Sequence, residues 1–535
     1  MQSALSPSEG HSLALIGPSV QFSNDVFNIP FSSKTSVGTI DISGRAIIRN
    51  SRVRFILNGG KIPYLGTYIA GINFNSADIR DLSFDLPSGK GRLYFAPVVL
   101  PKQIGTIVTG IPIPTYLRGI RVSRNTLAVL NGLDSVERSG KEPLRAIAHQ
   151  FNLLPPVQYA SAGSQLLPTS TTVDMVRVLN SIGDTDGLNE LLAAGTGFSP
   201  RDWGARNRLT APTLMSTSPS FAGGQCHSLG TFQADCIDQS RWTGDATLFD
   251  ITDAFGERRL VGRLSVTSND VFVGDRGWSR VDASFLSSAV GNVIKLDGSD
   301  VRYALGTEIG QARLSFEQQD SLEIASLSLN AGASLTRHFG AGEAHFAISG
   351  RALELRTRES RSIQLSGDTI GASYGSRLGT LRPAAGFAIR VGGLVVSGDV
   401  AVSASTYQSD SISETGGPAP LKVAPYRIAS AKVISGLAVN YRTSSAGGVT
   451  IALSGNISHE DEILNGAERL QAHFLDDPEL PFDLYSPMTD EDRWVGGAGL
   501  LMSSRAWSAR LAYRAEVDSA RGTWSRADLN LAYRF

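Results

Sequence analysis

Residues 523–535 read TWSRADLNLAYRF, and the two faces of that stretch decide the fold. Successive side chains of a β-strand point to opposite sides. Trp524, Arg526, Asp528, Asn530 and Arg534 therefore share one face, and Ala527, Leu529, Leu531, Tyr533 and Phe535 share the other. The stretch before it, AWSARLAYRAEV (506–517), divides the same way. Trp507, Ala509, Leu511, Tyr513, Ala515 and Val517 oppose Arg510, Arg514 and Glu516. GVTIALSGNI (448–457) sets Val449, Ile451, Leu453 and Ile457 against Thr450, Ser454 and Asn456. In LVVSGDVAVSA (394–404), Val396, Val400 and Val402 oppose Ser397, Asp399 and Ser403. From 258 to 535 this alternation recurs in segments of about ten residues, the pattern of a transmembrane β-barrel.

A soluble β-sandwich alternates too, so loop lengths carry the choice. Counting back from Phe535, about twelve strands fit, beginning near Arg280. Short connections are expected near Gln319, Glu359, Gly392, Ser444 and Ser504, and long ones at 406–427 and 458–492. Outer-membrane barrels have short periplasmic turns and longer external loops. With the last strand ending in the periplasm, every short turn falls on the periplasmic side. Tyr and Trp near strand ends fit an interfacial girdle, and Gly350, Gly398, Gly436 and Gly455 suit a curved sheet.

The composition agrees. The 535 residues include 56 glycines, 19% are charged, and the net charge is −1. Nothing in that balance calls for nucleic acid. No apolar run reaches the roughly 18 residues of a membrane-spanning helix, so a membrane protein of this composition must cross with strands, in a closed barrel that leaves no backbone edge in lipid.

The first 257 residues differ. Residues 1–118 read as a small β-rich segment of no recognisable repeat, with strands in VGTIDISG and GRLYFAPVVL. Residues 119–257 read as a helical and loop region. NTLAVLNGLDSV, EPLRAIAHQFNLL and TVDMVRVLNSI have apolar residues at helical spacing, and GLNELLAAG gives a short helix stopped at Gly195. Cys226 and Cys236 lie close together in GGQCHSLGTFQADC. They are expected to form a disulfide in an oxidising compartment, two unpaired thiols being the alternative. MQSALSPSEGHSLALIGPSV has no basic n-region and too short an apolar stretch for a signal peptide, so the expectation is a misassigned start or the C-terminal part of a longer precursor.

At this point the chain resembles the translocator domain of autotransporters, the type V secretion family, over roughly its last 280 residues. The resemblance rests on the strand pattern, its place at the C-terminus and the terminal LNLAYRF. It implies a bacterial outer-membrane barrel that exports or anchors its own N-terminal passenger at the cell surface. It also implies that Leu529, Leu531, Tyr533 and Phe535 form the signal read by the barrel-assembly machinery. Family members place a passenger first, then a helical linker in the pore, then the barrel. The linker is expected within 174–195, with 122–152 as the rival. The region ahead of the barrel is short for a passenger, and more of it is expected upstream of Met1.

Other motifs carry less. GASYG (371–375) matches the G-x-S-x-G nucleophile elbow, but that motif needs a strand-to-helix turn and Ser373 sits within a strand pattern. His345 reads as a lumen or core residue. The acids of 458–492 read as a solvated external loop that follows His459, rather than a cation site. Arg510, Arg514, Glu516, Arg526, Asp528 and Arg534 are expected to line the lumen, either tolerating water or gripping the linker. No cofactor, metal or catalytic residue is expected. The expected partners are the outer-membrane bilayer, the assembly machinery and the chain's own passenger. A porin-like channel, or a surface hydrolase whose catalytic passenger lies upstream, are the alternative functions.

Overall fold

The computed structural model describes residues 4–173, 175, 179, 239–252, 258–272, 278–316, 320–363, 367–417, 419–444, 448–465, 469–486, 492–504, 507–518 and 522–533. Its first part is strands β1 (Ala4–Leu5), β2 (Ser12–Leu15), β3 (Ser19–Ser23), β4 (Val26–Phe31), β5 (Thr39–Arg49), β6 (Arg52–Leu57), β7 (Tyr68–Arg80), β8 (Ser83–Asp85), β9 (Leu93–Leu100) and β10 (Gln103–Gly110). β1, β4, β6 and β8 pair in parallel, one above the next, and so do β2 or β3, β5 and β7. This is a short parallel β-helix, each coil laying one strand on each wall. Alternation along β4 and β5 sends Phe27, Ile29, Phe31, Ile40, Ile42 and Ile48 inward, where they stack on Val53, Phe55, Ile72 and Phe74 of the next coils. The stacked positions are 27, 53 and 84 on one wall but 40 and 72 on the other, so successive coils differ in length. That irregularity hides the repeat from the eye. The antiparallel hairpin β9–β10 pairs with β7 and ends the stack.

Helices follow: α1 (Ile113–Tyr116), α2 (Arg124–Ser139), α3 (Leu144–Asn152) and α4 (Pro156–Gln165). α2 begins at an N-cap, Ser123, whose hydroxyl accepts from the Thr126 backbone N–H. Its face Val129, Leu130, Leu133 and Val136 is fully buried.

The third part is a thirteen-stranded antiparallel sheet in sequential order among the described residues. Its strands are β11 (Gln239–Thr252), β12 (Arg258–Phe272), β13 (Trp278–Leu296), β14 (Ser299–Ser315), β15 (Ser321–Phe339), β16 (Gly342–Ile363), β17 (Asp368–Val391) and β18 (Leu394–Ser409). After the loop strands β19 (Ile412–Ser413) and β20 (Leu421–Val423) come β21 (Tyr426–Ser444) and β22 (Thr450–Asn465). After β23 (Arg469–Phe474) and β24 (Phe482–Tyr485) come β25 (Asp492–Ser503), β26 (Trp507–Asp518) and β27 (Gly522–Tyr533). Against an expected count of about twelve strands beginning near Arg280, the sheet has eleven from β13 onward and two more, β11 and β12, before it.

The strands are longer than ten residues, and their polarity reverses partway. In one half of β16 the outward residues are Ala344, Phe346 and Ile348, while Glu343, His345, Ser349 and Arg351 point inward. In the other half the outward residues are Glu354, Arg356 and Arg358, and Leu353, Leu355 and Ile363 are buried inside. β17 does the same, with Leu381, Phe387, Ile389 and Val391 exposed in one half and Ile370, Tyr374 and Leu378 buried in the other. The first half is a lipid-facing wall around a polar lumen. The second stands in water and encloses an apolar core. On β13 the exposed apolar residues run from Leu286 to Leu296. That is about 34 Å of strand, or about 25 Å of height at a tilt of about 40°, which matches the apolar band of an outer-membrane barrel.

This length displaces two expected turns. On the side that holds Gly392 and Ser504, the tight connections lie between Leu296 and Ser299 and between Phe339 and Gly342. Gln319 lies outside the described residues, but the connection from Ser315 to Ser321 belongs to the opposite end, and Glu359 lies inside β16. A ten-residue repeat imposed on strands of 17 to 24 residues puts turns where there are none. The acidic segment that follows His459 is also partly strand: β22 runs to Asn465, and Glu460 is buried.

Candidate functional site: the capped mouth of the barrel

The two long connections build a platform. They contribute β19, β20, β23 and β24, paired in that order as a four-stranded sheet. Ile412, Leu421, Val423, Leu470, Ala472, Phe474 and Leu484 are fully buried between this sheet, the helices and the upper barrel wall.

Helix α2 docks on the exposed edge of β24. The Asn125 side chain accepts from the Tyr485 N–H and donates to the Tyr485 carbonyl, both at 2.6 Å. One amide side chain thus satisfies both backbone groups of an edge residue. The Arg124 guanidinium lies 3.3 Å over the Tyr485 ring. Gly132 lets the helix approach Phe482, where an added Cβ would come within 2.8 Å of the ring. The Asp477 carboxylate accepts from the Lys141 N–H at 3.0 Å.

The segment after α4 joins the wall itself. Glu359 of β16 accepts from the Ser170 N–H at 3.0 Å. Arg361, two residues on, donates to the Gln165 carbonyl at 2.6 Å and forms a two-point pair with Glu414 at 2.8 and 2.6 Å. Both side chains of that pair are no more than 2% exposed. Glu414 also accepts from the Leu421 N–H at 2.7 Å, which ties the loop sheet to the same point.

Below the cap the chain enters the barrel. Met175 and Leu179 are helical and fully buried, and they pack with inward residues of the upper wall. The Leu179 carbonyl accepts from Arg351 at 3.4 Å, and Arg351 pairs with Glu308 at 2.8 Å. Of the two segments considered as the pore linker, 174–195 is the one whose described residues sit inside the wall. The rival, 122–152, forms α2 and α3 in the cap.

On its other side the cap holds the β-helix. Glu137 of α2 is fully buried and accepts from the Leu65 N–H at 2.9 Å, from His149 Nδ1 at 2.6 Å and from Asn152. Burial pushes this carboxyl up, but the three hydrogen bonds together outweigh it and hold the group below the usual carboxylate range. Arg92, in the loop before β9, donates to the Asn152 side chain at 3.0 Å and to the Ile111 carbonyl at 2.9 Å, and pairs with Asp134. Tyr64 donates to Glu142 at 2.8 Å, and Arg145 stacks over its ring. The Gly91 Cα has φ +60 and lies against the Leu153 backbone, where a side chain would collide.

Several residues singled out from sequence have their place here. Trp507, Leu511, Tyr513 and Val517 are exposed on the outer wall of β26. Arg510, Arg514 and Glu516 lie on the same strand, with Arg514 opposite Arg526 and Ala512 opposite Asp528 of β27. Leu529, Leu531 and Tyr533 are in β27. The side chains of Arg510, Arg514, Glu516 and all of β27 lie outside the described residues, as do Arg534, Phe535, Cys226 and Cys236. Ser373 is an exposed outer-face residue of β17 with strand continuing past it, so the G-x-S-x-G match has no elbow. His345 points inward, half-buried. Among the described residues no group of three His, Cys, Asp or Glu side chains is placed to hold a metal ion. The polar junctions at Glu137, Arg361 and Asn125 escaped the sequence reading because none belongs to a motif.

No curated protein matches the sequence. Solved structures similar to the chain include the translocator domain of the autotransporter NalP from Neisseria meningitidis, at 12% identity over 52% of this chain and 88% of that one, TM-score 0.33. They also include the beta domain of the Bordetella autotransporter BrkA, at 10% identity over 52% and 99%, TM-score 0.32. The transport unit of AIDA-I from Escherichia coli matches at 8% identity over 54% and 93%, TM-score 0.25. The family model described as Autotransporter beta-domain matches residues 268–514. That span runs from β12 to β26, the strands that combine an apolar outer half with a polar lumen, and over it the sequence matches autotransporter beta-domains, the outer-membrane β-barrels of type V secretion.

Proposed function

We propose that the chain is a self-contained export and display device. Its barrel inserts in the outer membrane with the help of the barrel-assembly machinery, which reads Leu529, Leu531, Tyr533 and Phe535. The chain's own N-terminal part crosses through the lumen and stays anchored outside, with residues 1–118 as the passenger region, 119–257 as the link, whose last strand β11 already joins the barrel sheet, and 258–535 as the rest of the translocator. In this reading the chain makes and breaks no covalent bond in a substrate. The carrying observation is a continuous path of contacts. The β-helix rests on α2 and α3 through Glu137 and Arg92, the helices rest on the barrel mouth through Asn125 and Arg361, and the chain then enters the wall at Leu179. A free channel has no use for a lid joined so thoroughly to its own rim.

Protease treatment of intact cells expressing the chain tests this. Cleavage in the β-helix, with the barrel strands protected, is expected. Protection of residues 4–110 while the loop sheet is cut would refute export.

A further inference from the structure

Just above the apolar belt, the outer wall carries arginines that the cap does not use. On β16, Arg356 and Arg358 point outward, on β17 Arg377, and on β21 Arg427. The register brings them together. Arg358 is opposite Ser373, Arg356 opposite Gly375 and Glu354 opposite Arg377, and Gln408 of β18 links Arg377 to Arg427. The surface between them is lined by Ser373, Gly375 and Gly379; it is open at Gly379, where nothing lies within 4 Å of the position a Cβ would take, while the Asp410 carboxylate lies over Gly375. Arg356, Arg358 and Arg377 have neither an ion pair nor a hydrogen bond among the described residues. Arg427 touches the Thr406 hydroxyl at 3.4 Å. The acids in the neighbourhood are Glu354, Asp410 and Glu323, which is opposite Arg358 on β15, so the four guanidiniums face three carboxylates. Glu323 is itself offset by Arg313 of β14, at 3.9 Å.

Immediately below this patch the wall is apolar and bare. Leu381 is 51% exposed, Leu327 53% and Leu329 58%. Leu381 lies four residues below Arg377 on the same face of β17, about 13 Å along the strand. Arg356, Arg358 and Arg377 at that height meet the headgroup layer of the membrane, where guanidinium groups pair with phosphate at two points.

We propose that this patch binds a phosphorylated glycolipid of the outer leaflet, its phosphates on Arg356, Arg358 and Arg377 and its acyl chains against Leu381, Leu327 and Leu329. The inference rests on the barrel being in the outer membrane. Charge complementarity and the continuous apolar belt below select a lipid over a soluble anion, since both halves of the ligand then find a surface.

The test uses the full chain in phosphatidylcholine vesicles, with diphosphoryl lipid A or its dephosphorylated form added. Insertion is scored separately, by the change in gel mobility on heating. The variant replaces Arg356→Gln, Arg358→Gln and Arg377→Gln together. Each cation near an anionic membrane surface contributes about one kcal/mol, so losing three weakens binding of diphosphoryl lipid A by about 100-fold, with insertion unchanged. The dephosphorylated lipid is expected to bind the native chain as weakly as the variant binds the phosphorylated one. Equal binding by variant and native chain, or equal binding of the two lipids, would overturn the proposal. So would displacement of the glycolipid by inorganic phosphate, which would mark a plain anion site. Failure of the native chain to insert would refute the barrel reading itself, and the lipid site with it.

Discussion

Replacing Arg361 with alanine should unlatch the cap while leaving the barrel intact. The side chain is 2% exposed and bonds three groups at once: both oxygens of Glu414 and the Gln165 carbonyl. Removing one partner of a buried pair leaves the other charge uncompensated and costs about 3–5 kcal/mol. Glu414 keeps the Leu421 N–H at 2.7 Å, which places the cost at the lower end of that range. Because every 1.4 kcal/mol is a factor of ten, the open fraction of the cap should rise by about 100-fold or more. Proteolysis follows the open population when reclosing is faster than cutting. Limited digestion of the detergent-solubilised chain should therefore cut residues 113–173 faster in the variant, while heat-dependent gel mobility of the barrel stays unchanged. The double variant Arg361→Met with Glu414→Leu should restore protection, since apolar residues of similar volume replace a buried pair at little cost and Ile412, Leu421 and Ile363 already surround the site. Cleavage of Arg361→Ala at the native rate would refute the latch. Failure of the double variant to recover, with the barrel folded, would show that the specific hydrogen bonds and not the buried charge matter.

Three further outcomes are expected. Glu137, held below its ordinary value of 4.5, stabilises the junction of β-helix and helices above that value, and the contribution is lost as pH falls through the depressed one. Hydrogen exchange at Leu65 should rise in that acid window, and Glu137→Gln should raise exchange at neutral pH and remove the acid step. Gly44→Ala should destabilise the first coils of the β-helix by about 1–3 kcal/mol, because a Cβ there collides with the Gly17 carbonyl; a melting curve of the N-terminal unit matching the native one would contradict the packing. Cys226 and Cys236 are expected to be joined, so the purified chain should be lighter by two hydrogens under non-reducing mass spectrometry and should not take up a thiol reagent.

How much of this could be read beforehand differs by region, for physical reasons. The barrel was legible because lipid imposes a strict alternation on its lower half, and Leu453, Leu511 and Val400 obey it and stand exposed. The β-helix was not. Its walls stack Phe27 on Val53 and Ile40 on Ile72 across coils of unequal length, so no fixed period marks them. The periodicity of 124–139 was legible as a helix, but not its neighbour: the edge of β24, met by Asn125, comes 360 residues later. A single buried amide has no sequence signature, although a small residue at the helix–sheet contact, Gly132, hints at close approach.

The polarity reversal along β16 and β17 explains both the turns that were misplaced and the cap that was not foreseen. A strand that only crosses lipid needs about 9–11 residues, and one that continues into water must exchange its faces. Ile348 outside and Arg351 inside become Arg356 outside and Leu355 inside on the same strand. Read as a uniform barrel strand, the second half looks like a register error or a break, which is why Glu359 resembled a turn. Read as a wall standing in water, it requires something apolar to fill it. The inward Ile370, Tyr374, Leu378 and Leu355 would otherwise line an open aqueous mouth, and they are buried because helices and loop sheet close over them. The cap is thus implied by the barrel strands themselves. If the helices were deleted, those inward residues would be left as a large exposed apolar surface, and the truncated barrel should aggregate or bind a hydrophobic dye where the full chain does not.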